Sequence, residues 1–164
     1  MKKITLFIIL LVAFTTHSQV FSGKGDVKFQ VGGSMQKNAT GINVTTDFGI
    51  GENMSYGFSA VYLLNAERIN GVKPAFEDRA DIRVRFNANI GNVLNFNEAL
   101  DIYPGLSLGT RNFGGHLGIR YFFTDGFGVY SETCFPISSY ETNPVGFQKY
   151  NNQFTFNIGA SFNL

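Results

Sequence analysis

Residues 81–91, Asp-Ile-Arg-Val-Arg-Phe-Asn-Ala-Asn-Ile-Gly, alternate apolar and polar without a break. Ile82, Val84, Phe86, Ala88 and Ile90 fall on one side of an extended strand, and Asp81, Arg83, Arg85, Asn87 and Asn89 on the other. Strand side chains alternate faces with period two, so the segment has one oily face and one charged face. A helix would scatter the same residues around its circumference. Two arginines and an aspartate on one strip need water or partners.

The same period recurs seven more times, between turn-rich breaks. The strands are expected at 25–35, 41–50, 55–64, 81–91, 100–110, 116–124, 127–135 and 152–163. On 55–64, Gly57 and Ser59 give way to Val61 and Leu63, which breaks the polar pattern at the strand's end. On 100–110, Pro104 removes a ladder donor, so a bulge or local break is expected there. Thr124-Asp125-Gly126 predicts a tight hairpin turn, as does the region of Glu52-Asn53-Met54. The breaks near 65–80 and 136–151 are long and hold much of the remaining charge and proline. The break 92–99 is intermediate and has room for a helical turn.

Drawn this way, the apolar faces carry no Asp, Glu, Lys or Arg. The opposite faces carry Asp26, Lys28, Asp47, Asp81, Arg83, Arg85, Asp101, Arg111, Arg120 and Glu132. Two architectures fit such alternation. A soluble lipocalin-like barrel turns the apolar face inward around an apolar ligand, whereas a transmembrane barrel turns it to lipid. Three features favour the second. Aromatic residues cluster near strand ends (Tyr56, Phe58, Tyr121, Phe123, Phe127, Phe135, Phe154, Phe156). The polar faces are rich in Gly and mixed-sign charge but poor in Lys. Strands of ~10 residues match a tilted membrane crossing. The expected fold is therefore all-β: an eight-stranded antiparallel up-and-down transmembrane barrel with short periplasmic turns and longer extracellular loops.

The N-terminus agrees with export. Met-Lys-Lys is followed by an apolar run from Ile4 to Phe14 and then Thr-Thr-His-Ser-Gln. A basic start, a short apolar core and small residues at Thr16 and Ser18 read as a secretory signal peptide cleaved after Ser18. The run is too short for a transmembrane helix, which needs ~20 residues. Residues 1–18 are thus the signal, and 19–164 form one barrel domain. Lys2 and Lys3 leave with the signal, so the mature chain is nearly neutral and gives no sign of a nucleic-acid partner. Cys134 is the only cysteine, which excludes an intrachain disulfide. The Asn-x-Ser/Thr triplets at Asn38, Asn43 and Asn53 are read as chance.

These strands, the export signal and the closing Phe-Thr-Phe-Asn-Ile-Gly-Ala-Ser-Phe-Asn-Leu resemble the small eight-stranded outer-membrane β-barrels of Gram-negative bacteria, of the OmpA, OmpX and OmpW types. Asp101-Ile-Tyr-Pro-Gly-Leu-Ser-Leu-Gly and Gly128-Val-Tyr-Ser-Glu are similar to the barrel domains common in Bacteroidota. The resemblance implies residence in outer-membrane lipid and insertion by the barrel-assembly machinery. That machinery usually reads an aromatic residue at the end of the last strand. Here Phe162 stands two before the terminal Leu164.

An eight-stranded barrel is just wide enough for its own side chains, so a large-solute porin is not expected. Arg83, Arg85, Arg111 and Arg120 facing Asp47, Asp81, Asp101 and Glu132 are expected to form a lumen charge network. Such a network can plug and organise the lumen, or gate an ion path by swapping partners; the structural role is the simpler expectation. Some small outer-membrane barrels modify lipid A with a Ser or His and an acidic partner. His116 is the only imidazole of the mature chain, with Ser107 or Ser131 as candidate nucleophile, but no Gly-x-Ser-x-Gly elbow accompanies them. One His and one Cys make no metal site, and no cofactor motif is present. Cys134 is expected to be a small lumen-facing filler. The expected function is non-enzymatic: envelope structure, or surface contact with an unknown ligand through loops 65–80 and 136–151.

Overall fold

The computed structural model describes residues 20–94 and 97–164. The expected export signal, 1–18, lies outside the described residues. Eight strands form a closed barrel in chain order: β1 (Val27–Gln36), β2 (Ala39–Gly49), β3 (Met54–Ala66), β4 (Ala80–Ala88), β5 (Leu100–Gly109), β6 (Asn112–Phe122), β7 (Phe127–Ser139) and β8 (Thr155–Asn163). Every neighbouring pair is antiparallel, and β8 returns to β1 to close the sheet. Closure removes both sheet edges, so every strand finds ladder partners on both sides.

The alternation read from β4 is the barrel's radial direction. Arg83 and Arg85 are 7% and 3% exposed, while Ile82 and Val84 are 62% and 51% exposed. Each strand contributes to the outer apolar surface: Val31, Ile42, Phe58, Val84, Leu106, Leu117, Val129 and Ile158 are all exposed. The buried set is the reverse, dominated by Asp, Arg, Asn, Ser and Thr. The usual soluble arrangement is inverted.

Where strand limits differ from the expectation, a bulge or a loop is responsible. Pairing of β6 with β7 shifts register between Phe113 and Gly114. The residue skipped is Ile137 of β7, so the facing of β6 is unbroken: Gly114 points inward, and Gly115 lies on the outer face beneath Phe135 and Ile137. Two successive glycines carry no side chain to report that facing, although β6 begins at Asn112. β7 runs past Pro136, which pairs opposite Gly114. Pro104 causes a one-sided break. Pairing of β4 with β5 stops at Asn87↔Gly105, whereas β5 with β6 continues through Pro104↔Leu117.

The connections sort less cleanly than expected. One rim carries the four-residue turns 50–53 and 123–126, the longer 89–99 connection with its helical turn Gly91–Leu94, and both described chain ends. The opposite rim carries the two long loops, 67–79 and 140–154, but also the two-residue hairpins 37–38 and 110–111. The first of these is tight because Asn38 adopts a left-handed backbone, φ 64.

Aromatic rings ring the turn-side rim. Tyr121, Phe123, Phe127, Phe162 and Phe29 form a chain with successive centroids 5.3, 6.3, 5.6 and 6.3 Å apart, crossing the β8–β1 closure. Phe48, Tyr56 and Phe58 continue it on β2 and β3.

Candidate functional site

The lumen is stacked in layers. Nearest the turn-side rim, Lys28 bonds Asp26 and donates to Asn163 Oδ1 at 2.8 Å. Val20 and Phe21, just before β1, are buried beneath this layer, and Asn92 Nδ2 donates to the Phe21 carbonyl at 2.8 Å. The segment before β1 is thus packed against this rim and tied to the 89–99 connection, since the Val20 amide also donates to the Glu98 carbonyl at 3.1 Å.

The middle layer is built around Tyr103, which is fully buried. The Arg120 guanidinium lies over its ring at 4.1 Å, and Arg85 approaches at 5.7 Å. Arg120 Nε donates to Asp101 Oδ2 at 3.0 Å and Nη2 to Asn89 Oδ1 at 2.9 Å. Arg85 takes Glu132 in a fork, Nη2 to Oε2 at 2.6 Å and Nη1 to Oε1 at 3.3 Å. Asp47 sits between the two guanidinium groups, 3.1 Å from Arg85 Nε and 3.6 Å from Arg120 Nη1. Neither Asp47 oxygen is in hydrogen-bond geometry with a partner. Its attraction is charge alone, shared between two cations.

Room for Tyr103 comes from a neighbour without a side chain. A Cβ at Gly118 would overlap the Tyr103 ring, and one at Gly105 would overlap the His116 imidazole. The ring has nowhere to retreat, being held by Arg120 and by the Gln30 amide at 3.3 Å. Gly118→Ala is therefore expected to destabilise the barrel by ~1–3 kcal/mol. Recovery of folded, heat-shifting protein on gels should fall, and Tyr103→Leu in the same chain should restore it. Unchanged recovery with Gly118→Ala would show that the ring can yield.

Towards the loop-side rim, Arg83 Nε donates to Asp81 Oδ2 at 2.5 Å, and Arg83 Nη2 to the Asn151 carbonyl at 3.0 Å. Thr110 donates to Asp81 Oδ1 through both its amide and its hydroxyl. Asn151 belongs to the 140–154 loop, whose end turns into the mouth. Its amide nitrogen donates to Gln36 Oε1 at 3.0 Å, and its carbonyl also accepts from Asn112 Nδ2 at 2.9 Å. Beside it, Tyr150 packs with Ala39, Val61 and Leu63 in a small apolar cluster. This cluster explains the apolar end of β3's inner face: Val61 and Leu63 serve the stopper, not the charge layers.

Seven of the eight residues expected to share the lumen are buried there: Asp47, Asp81, Arg83, Arg85, Asp101, Arg120 and Glu132. Asp47, Arg85, Asp101, Arg120 and Glu132 form one connected group. Asp81 and Arg83 form a separate pair near the loop side. Arg111 is a correction. It lies in the 110–111 hairpin beyond the end of β5, half-buried, and pairs with Asp78 at 3.4 Å outside the lumen. Extending the alternation through the hairpin had placed it inside. The Asp26–Lys28 pair belongs with the lumen charges, and the alternation of β1 already carried that signal. Among the buried residues described, five Asp and Glu side chains face four Lys and Arg side chains.

His116 and Ser107 are both buried, but they are not bonded to each other. His116 Nε2 contacts Asn87 Oδ1 at 2.6 Å, and Ser107 Oγ has no hydrogen-bond partner. Ser131 lies on the outer face, half-buried. Cys134 faces inward and its thiol donates to Glu132 Oε1 at 3.3 Å. Among the described residues no three His, Cys, Asp or Glu side chains are grouped to hold a metal ion.

An up-and-down barrel of eight strands with a polar, filled lumen and an apolar exterior has the architecture of the small outer-membrane barrels. The chain belongs to the family of unknown function DUF6646, whose model matches residues 11–164. No curated protein matches the chain. Two solved structures are similar to it at low identity. One is Ail, the attachment invasion locus protein of Yersinia pestis, in complex with the heparin analogue sucrose octasulfate, at 11% identity over 86% of this chain and 99% of that one, with a TM-score of 0.48. The other is Outer Membrane Protein G from Pseudomonas aeruginosa, at 10% identity over 88% of this chain and 99% of that one, with a TM-score of 0.48.

Proposed function

We propose that this protein is a non-enzymatic outer-membrane barrel whose lumen is closed by its own side chains, and which serves envelope structure or surface contact through its long loops. The observation that carries the reading is the inversion of the strands: every charged strand residue described points inward, and the outward surface is apolar on all eight strands. In water such a continuous exposed apolar surface would aggregate; in lipid it is the low-energy solution. A soluble barrel that binds an apolar ligand needs the opposite orientation, with an oily cavity inside. The ring of aromatic side chains at one rim fits the boundary between hydrocarbon and headgroups.

Orientation follows from connection length. Bacterial barrels place short turns and chain ends in the periplasm and long loops outside. The 67–79 and 140–154 loops then face the exterior. Their exposed residues, including Val72, Phe76, Tyr140 and Val145, are the surface available for contact, while Tyr150 to Asn152 are committed to the stopper. The filled lumen supports a structural role for the buried charges, and the engagement of His116 with Asn87, not with Ser107, supports a non-catalytic one.

The test is membrane fractionation followed by electrophoresis of unboiled and boiled samples. The protein is expected in the outer-membrane fraction, migrating differently before and after heating. Recovery as soluble periplasmic protein without detergent would defeat the proposal.

A further inference from the structure

Two adjoining pockets at the loop-side rim, of about 320 and 380 Å³, share Glu67 as a common wall. Lys37 and Lys149 line the first; Arg68, Lys73 and Arg79 line the second. Five cations thus surround one acid. Unlike the lumen bases, Lys37, Arg68, Lys73 and Lys149 form no ion pair among the described residues. The backbone around the pockets is held by hydrogen bonds, while the side chains of Lys37, Arg68, Lys73 and Lys149 are exposed. Tyr150 Oη donates to the Glu67 carbonyl at 2.8 Å, the Glu67 amide to Asn38 O at 2.9 Å, and Gln153 Nε2 to Lys37 O at 2.9 Å. Arg79 is held by its own bond to Leu63 O at 2.8 Å and by the Tyr62 ring.

We infer that this double pocket binds the phosphate groups of a membrane glycolipid lying beside the barrel. Uncompensated Lys and Arg gathered in a concave site favour a multiply charged anion, and phosphate oxygens accept from both residue types. The lipid source follows from position. Leu64, an exposed outward residue of β3, lines the second pocket, so the site opens where the apolar surface ends. A phosphorylated sugar headgroup whose acyl chains rest on the outer face of β3 meets both features at once. The inference rests on the membrane reading above.

The test uses the full chain inserted into phosphatidylcholine vesicles containing a glycolipid with a doubly phosphorylated disaccharide head, or the same lipid after dephosphorylation. The lipid retained per barrel after extraction and purification is counted by native mass spectrometry. The phosphorylated form is expected to be retained ~10-fold more strongly, the scale of one or two charge-assisted hydrogen bonds. Lys37→Gln with Lys149→Gln, or Arg68→Gln with Lys73→Gln, should each remove most of that preference. Glu67→Gln should increase it, a gain that general damage to the loops would not produce. Equal retention of the two lipids by an inserted barrel overturns the proposal, as does indifference to all these variants. Displacement by millimolar inorganic phosphate would overturn the lipid source and leave a free-anion site. Failure of the chain to insert at all, seen as loss of the heat shift in the same samples, overturns the membrane reading and this proposal with it.

Discussion

Arg85→Met should destabilise the barrel by about 3–5 kcal/mol, the cost of removing one partner from a buried ion pair. Arg85 is the hinge of the middle layer: it forks onto Glu132 and lies 3.1 Å from Asp47. Without it, Glu132 keeps only the Cys134 thiol and the Asn157 amide, and Asp47 keeps only Arg120 at 3.6 Å. Two carboxylates would then sit in a closed lumen nearly without compensation. Urea unfolding in lipid vesicles, followed by the heat-shifted band because the chain has no Trp, measures the loss. Adding Glu132→Leu to Arg85→Met should recover a large part of it, since replacing a whole buried pair by apolar groups is often neutral. Asp47→Asn sets the opposite expectation. The buried acids outnumber the buried Lys and Arg side chains by one and Asp47 alone of the middle layer accepts no hydrogen bond, so its neutralisation should leave stability within about 1 kcal/mol of the native chain. An Arg85→Met barrel as stable as the native one would mean that the network carries no structural load.

The barrel was legible because lipid and lumen impose opposite demands on successive residues. Wherever that demand is uninterrupted, as from Asp81 to Asn87, the pattern gives strand, register and facing together. It fails where the backbone itself departs from period two. On β7 the extra residue Ile137 shifts the register against Phe113 and Gly114, and on β6 the adjacent glycines Gly114 and Gly115 carry no side chain to mark either face. Pro104 advertises a missing donor but not which neighbour loses the bond; the loss falls on β4. The two-residue hairpin at 37–38 depends on one left-handed asparagine, Asn38, which in sequence looks like any polar loop residue.

The site was legible in membership more than in pairing. Facing follows from parity, so Asp47, Arg85, Asp101, Arg120 and Glu132 were all placed inside. Which acid meets which base depends on contacts across the lumen, such as Arg85 of β4 with Glu132 of β7, and sequence distance carries no trace of them. Tyr103 was recognisable only as a polar-face residue; its position between two guanidinium groups depends on the space left by Gly118 on the adjacent strand. The stopper was harder still. Tyr150, Asn151 and Asn152 sit in a segment whose composition reads as an exposed loop, yet they are buried. The apolar pair Val61 and Leu63 was the one visible trace of their landing place.

Leu117→Arg separates a lipid-facing surface from any soluble alternative. Leu117 is the central residue of β6, points outward and is 46% exposed. In a bilayer an arginine there lies near the midplane and should cost ~2–4 kcal/mol. Ile137 is also outward and exposed, but it lies near the loop-side end of β7. Ile137→Arg should cost only ~0–1 kcal/mol, because its guanidinium reaches the headgroups. The comparison removes the usual ambiguity of a single damaging variant, since both changes replace one exposed apolar side chain by the same cation on the same kind of strand. They differ in depth in the membrane and in pairing, since Ile137 is the residue skipped at the β6–β7 register shift. If the barrel were soluble, both positions would face water, and both arginines would leave folding unchanged while improving solubility. Equal stability of the two variants in vesicles would therefore overturn the membrane orientation, whereas a graded loss, larger at Leu117 than at Ile137, follows from it.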